Sequence, residues 1–104
     1  MVQKKYQKAI REFVERALKS YGDRIESIVL FGSVARGDAG EDSDTDILVV
    51  WDGDKAKGWR LMTKLAFDIL LDTEEYISIK VINSGDMNFE NPFIRNVMRG
   101  IKIA

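Results

Sequence analysis

Phe31-Gly32-Ser33-Val34-Ala35-Arg36-Gly37-Asp38-Ala39-Gly40-Glu41-Asp42-Ser43-Asp44-Thr45-Asp46 links the end of one apolar run to the start of another. Asp44 and Asp46 lie two residues apart where a strand opens, so both side chains leave the same face. Two ionised carboxylates that close repel each other unless a cation stands between them. A hard cation with oxygen ligands suits such a pair, and Mg²⁺ completes its octahedron with phosphate oxygens and water. At the other end of the stretch, Gly32 allows a ligand close to the backbone, and Ser33 is placed to cap the short turn that follows. Free amides at a helix start favour anions, phosphate above all.

Each half has a bland reading on its own. Gly-Ser after a strand is usually a turn, and Asp-x-Asp is often a solvated strand start. The run Asp42-Ser43-Asp44-Thr45-Asp46 resembles the opening of a calcium loop, but Ile47 stands where that loop needs glycine and Gly53 where it needs a bidentate acid. Asp38, Glu41 and Asp42 read as exposed loop charges. Together, the phosphate turn and the acidic pair make a place for a metal-bridged triphosphate.

Outward from this stretch, the periodicity predicts alternating elements. Tyr6, Ile10, Phe13, Val14, Ala17, Leu18 and Tyr21 recur at helical spacing over residues 3–21, and Gly22 ends that helix. Ile25 to Phe31 reads as a strand, Val34 to Gly37 as one helical turn, and Asp38 to Ser43 as a loop. Thr45 to Trp51 reads as a central strand. Asp52-Gly53-Asp54 is a turn with a capping residue, leading into a helix from Lys55 to Leu71 with Met62, Leu65, Ala66 and Ile69 inward. Tyr76 to Ile82 alternates, with Ile77, Ile79 and Val81 on one face and Tyr76, Ser78, Lys80 and Ile82 on the other. A polar loop precedes a last helix at Asn91 to Arg99, with Pro92 in its first turn and Phe93, Ile94, Val97 and Met98 inward. Ile101 to Ile103 can add an edge strand. The order predicts an α/β or α+β fold, a small mixed sheet with helices packed against it. Core packing is the expected role of both Trp51 and Trp59, a contact surface being the other reading.

Composition narrows the chemistry. The chain has 104 residues, the length of a single domain spanning 1–104. Cysteine and histidine are both absent, which removes disulfides, thiolate sites, imidazole bases and most zinc sites. With 16 Lys+Arg against 17 Asp+Glu the net charge is −1, so no basic field marks a nucleic-acid partner. No apolar run approaches the ~20 residues that cross a bilayer. A soluble, cytoplasmic domain is the expectation, acting through carboxylates, lysine, arginine, hydroxyls or a metal.

Gly32-Ser33, ten intervening residues and Asp44-x-Asp46 resemble the signature of the DNA polymerase β-like nucleotidyltransferase superfamily. The wider match, Gly32-Ser33-Val34-Ala35-Arg36-Gly37 with Ser43-Asp44-Thr45-Asp46-Ile47-Leu48-Val49, resembles its minimal nucleotidyltransferase branch, as does Asn91-Pro92-Phe93-Ile94-Arg95-Asn96-Val97. The resemblance implies that Asp44 and Asp46 are catalytic and hold two Mg²⁺ ions. It implies that Gly32 and Ser33 bind the β- and γ-phosphates of ATP, and that Arg36 adds charge there, a surface ion pair being its other reading. The superfamily's third carboxylate belongs on a later strand, where this chain presents Ser78 and Lys80. Asp72, Glu74, Glu75 and Asp86 lie near it in sequence, in expected turns.

Minimal domains of this branch resemble antitoxins paired with a small helical HEPN-type ribonuclease toxin, which they adenylylate and bind. The chain has little room for an acceptor site, so a partner is expected to bring it. The implied function is an ATP- and Mg²⁺-dependent protein adenylyltransferase acting as an antitoxin. The alternatives are an antitoxin that neutralises by contact and a drug-type small-molecule adenylyltransferase.

Overall fold

A computed structural model describes residues 4–37, 44–87 and 90–104. The loop expected at Asp38 to Ser43, with the charges of Asp38, Glu41 and Asp42, lies outside the described residues.

The elements run α1 (Lys4–Tyr21), β1 (Ile25–Phe31), α2 (Gly32–Arg36), β2 (Thr45–Trp51), α3 (Lys55–Thr73) and β3 (Ile77–Ile82). A 3₁₀ turn (Ser84–Asp86), α4 (Pro92–Met98) and β4 (Ile101–Lys102) complete them. The four-stranded sheet has the order β3-β2-β1-β4. β1 is antiparallel to β2 and β4, and β2 is parallel to β3, so the sheet is mixed as expected.

Strand alternation sorts the core into two faces. Ile28, Leu30, Ile47, Val49, Trp51, Ile77 and Ile79 meet Tyr6, Phe13, Ala17, Met62, Ala66 and Ile69 from α1 and α3. On the opposite face, Val29, Phe31, Leu48 and Val50 pack with Val97 of α4. The large core therefore lies under two long helices, and among the described residues the other face carries one short helix.

The caps fall where the side-chain chemistry puts them. Asp54 accepts from the Ala56 amide at 3.0 Å to start α3, and Asn91 accepts from the Phe93 amide at 2.8 Å ahead of Pro92 to start α4.

Three expectations change. α3 runs on to Thr73, so Asp72 stands on a helix rather than in a turn, and the left-handed stop falls at Glu74, φ 62°. In α4 only Ile94 and Val97 are buried; Phe93 and Met98 are 40% and 47% exposed, because seven residues on a flat face bury one narrow stripe. Phe93 instead meets Phe31 edge-on, ring centroids 5.8 Å apart. Trp51 is buried, whereas Trp59 is 49% exposed on the outer face of α3.

Candidate functional site

Phe31 ends β1 opposite Asp46 of β2, which brings the two halves of the decisive stretch together. The chain then turns at Gly32, whose φ of 79° lies in the left-handed region. A Cβ at Gly32 would run into the Asp46 carboxylate, at Oδ2. Glycine is thus required twice, by backbone conformation and by close approach. α2 begins at Gly32 itself, with Phe31 as its N-cap and no side-chain cap among the described residues. Ser33 therefore sits inside the first turn rather than capping it. Its hydroxyl and the first-turn amides remain available to an anion.

Asp44 is exposed just before β2, and Asp46 is half-buried within it. Thr45 between them points to the opposite face and is buried, its Oγ1 without a partner among the described residues. Burial first, and the charge of Asp44 second, push the Asp46 carboxyl above the ordinary carboxylate value; Lys80 pulls it partly back. A bound cation would offset the charge that Asp44 presents to Asp46. An all-oxygen donor set beside open backbone amides fits Mg²⁺ shared with phosphate oxygens.

The parallel register sets Ser78 beside Asp46 and Lys80 beside Leu48 on the same face. The expected departure is therefore real in space: this strand presents a hydroxyl and an ammonium to the pair. Asp72 is bonded to Arg16 at 2.8 Å and rides on α3, which covers the other face. Asp86 is bonded to Lys55 at 3.0 Å and to the Asn83 amide at 3.1 Å, beyond Ile82 at the opposite end of β3 from Ser78. Glu74 and Glu75 precede β3 at the Asp46 end. Among the described residues, no three acidic side chains gather into a metal-holding group.

Arg36 is exposed at the end of α2 and borders a cleft of about 260 Å³ lined by Gly32, Ala35, Arg36, Asn96, Arg99 and Gly100. Four of the five expected site residues, Gly32, Ser33, Asp44 and Asp46, surround one turn, and Arg36 stands one helical turn away. Asn96 and Arg99 were not singled out from the sequence. The packing of Val97 on Phe31, together with the pairing of β4 with β1, brings them to Gly32.

Residues 8–99 match the nucleotidyltransferase domain family. One Methanocaldococcus jannaschii protein named "Putative protein adenylyltransferase" is 42% identical over 72% of this chain and 81% of its own length. A second protein of that name from the same organism is 29% identical over 99% of this chain and 74% of its own length. A crystal structure described as a "putative nucleotidyltransferase" from Sulfolobus solfataricus superposes with a TM-score of 0.53 at 22% identity. It covers 98% of this chain and 87% of that one, a likeness of fold.

Proposed function

Because the chain belongs to the nucleotidyltransferase domain family, we propose that it moves AMP from ATP to a hydroxyl on a partner protein, as the antitoxin of a HEPN-type toxin. The observation that carries this reading is the contact of Gly32 with Asp46, which makes the phosphate turn and the carboxylate pair a single site. The names of two relatives support a protein acceptor.

In this reading Asp44 and Asp46 would hold Mg²⁺, which would supply charge neutralisation to the phosphate oxygens. The amides of Gly32 and Ser33 and the Ser33 hydroxyl bind the terminal phosphates, and Arg36 adds positive charge at the edge. Held this way, the triphosphate presents its α-phosphorus to the acceptor oxygen. The new P–O bond forms as the bond to the β-phosphate bridge breaks, and pyrophosphate leaves. The hydroxyl's proton passes to water or to a group of the acceptor, since among the described residues no third acid joins the pair in a metal-holding group.

That last point favours a second reading, in which the domain neutralises its partner by contact. Label transfer separates the two. The domain is incubated with Mg²⁺, lysate of its source and ATP labelled on the α-phosphate, beside an Asp44→Asn/Asp46→Asn control. A labelled protein band that disappears in the control supports AMP transfer and identifies the acceptor by mass. No labelled band, with the same partner co-purifying with wild type and control, supports the contact antitoxin.

A further inference from the structure

The wall facing Gly32 comes from the end of α4. Ile94 and Val97 bury the inner stripe of this helix, and Val97 packs with Phe31 and Leu48 at the site end of the sheet. The chain then passes through Gly100, where a Cβ would collide with the Leu30 carbonyl oxygen and lie 2.9 Å from that of Val97. Ile101 pairs with Leu30, so the turn between α4 and β4 lies flush against the last residues of β1. Asn96 and Arg99 are thereby held beside Gly32, across the cleft from Arg36.

The lining is cationic and polar. Two guanidinium groups and a carboxamide face the cleft, and among the described residues none that lines it is acidic. Arg95 turns away: it borders a separate cleft with Pro92, Asn96 and Arg99 and donates to the Glu90 carbonyl at 3.4 Å. Among the described residues, no carboxylate pairs with Arg99. The carbonyls at the end of α4 are occupied, since the Arg99 amide donates to Asn96 and the Gly100 amide to Val97 at 2.8 Å. Their negative ends are accordingly blunted toward an anion in the cleft. At about 260 Å³ the space is smaller than pockets that enclose a whole ligand, about 300 Å³ and upward. It suits the tail of a nucleotide and leaves base and ribose outside.

We propose that Arg99, with Asn96, grips the polyphosphate tail of the nucleoside triphosphate from the α4 side, opposite the amides of α2. This rests on the nucleotide-binding reading of the Gly32–Asp46 site. A guanidinium matches phosphate oxygens two at a time, which gives Arg99 a preference for the doubly charged terminal groups.

The test is calorimetric binding of Mg²⁺·ATP, inorganic tripolyphosphate and AMP to wild type, Arg99→Ala, Arg99→Lys, Asn96→Ala and Arg95→Ala, with folding checked by circular dichroism. Arg99→Ala is expected to weaken ATP and tripolyphosphate about tenfold or more, and AMP less than twofold. Arg99→Lys recovers part of the loss, Asn96→Ala loses less, and Arg95→Ala binds like wild type. Wild-type affinity for ATP in folded Arg99→Ala would overturn the assignment while leaving the site's nucleotide reading intact. Equal weakening of ATP and AMP would place Arg99 away from the tail and overturn it as well. Failure of wild type to bind ATP would remove the nucleotide reading itself, and this inference with it.

Discussion

Gly32 and Asp46 are the residues on which the site turns, and each makes its own prediction. Gly32→Ala places a methyl group against the Asp46 carboxylate in a backbone conformation that disfavours any side chain. It is expected to abolish measurable ATP binding and lower the melting temperature. Ser33→Ala, which removes one hydroxyl and leaves the amides, is expected to weaken binding less than about tenfold. Equal affinities in both variants and wild type would show that the anion lies elsewhere. Asp46 bears on stability through its proton. Its folded-state value is raised, so the native protein holds a proton that the unfolded chain has released between the ordinary carboxylate value and the raised one. Stability therefore falls as pH rises through that window, and ionised Asp46 weighs against the metal-free fold above it. Asp46→Asn is expected to melt above wild type at pH 7 without divalent ions, with the gap narrowing in acid. A lower melting point for the variant at pH 7 would contradict this balance.

At the scale of elements, Gly58 is where α3 lies closest against Trp51 of β2. Gly58 is buried in the first turns of the helix, and a Cβ there would stand 2.7 Å from the Trp51 indole. Helix propensity alone favours Gly58→Ala by about 1 kcal/mol. Overpacking against a buried ring costs about 1–3 kcal/mol, and Trp51 is further hemmed in by Tyr21 at 6.0 Å between ring centroids. Packing is therefore expected to win, and chemical denaturation should show Gly58→Ala less stable than wild type. A variant more stable than wild type would mean that α3 slides outward without loss. α4 obeys the same logic in reverse. Its seven residues are too few to hold a helix alone, so its orientation, and with it Arg99, depends on Ile94, Val97 and the flush turn at Gly100.

For the whole molecule, the site lies at one end of the sheet on the face that α4 packs against, while α1 and α3 occupy the other. A ligand there ties together β1, β2, α2 and α4 and should stabilise the fold as a unit. Mg²⁺·ATP at about 100 times its dissociation constant contributes about 2.7 kcal/mol. A melting temperature raised by several degrees is expected, and loss of that rise in Asp44→Asn/Asp46→Asn. No rise at millimolar Mg²⁺·ATP would argue against nucleotide binding altogether. Among the described residues, no helix is long and apolar enough to cross a membrane.

Sequence alone determined the elements and pointed to the heart of the candidate site. The boundaries of β1 and β2 follow from runs of β-branched and apolar residues bounded by glycine and aspartate. Local chemistry also determined the cap in the Asp52-Gly53-Asp54 turn, where Asp54 starts α3. Gly32, Ser33, Asp44 and Asp46 were legible as a candidate site because a Gly-Ser turn and an acidic pair are short-range patterns with direct chemical meaning. Tertiary structure decided everything that depends on register. Pairing of Phe31 with Asp46 joined the two halves of the stretch, and parallel pairing set Ser78 rather than a carboxylate beside Asp46. Packing on opposite ends and faces drew Asp72 and Asp86 into bonds with Arg16 and Lys55. Pairing of Leu30 with Ile101 delivered Arg99 to Gly32 across nearly seventy residues of chain. Side-chain patterns record which face of an element is apolar, but not which partner that face will meet. Contacts between distant segments are selected by the packing of the whole core, and no local run of residues contains them.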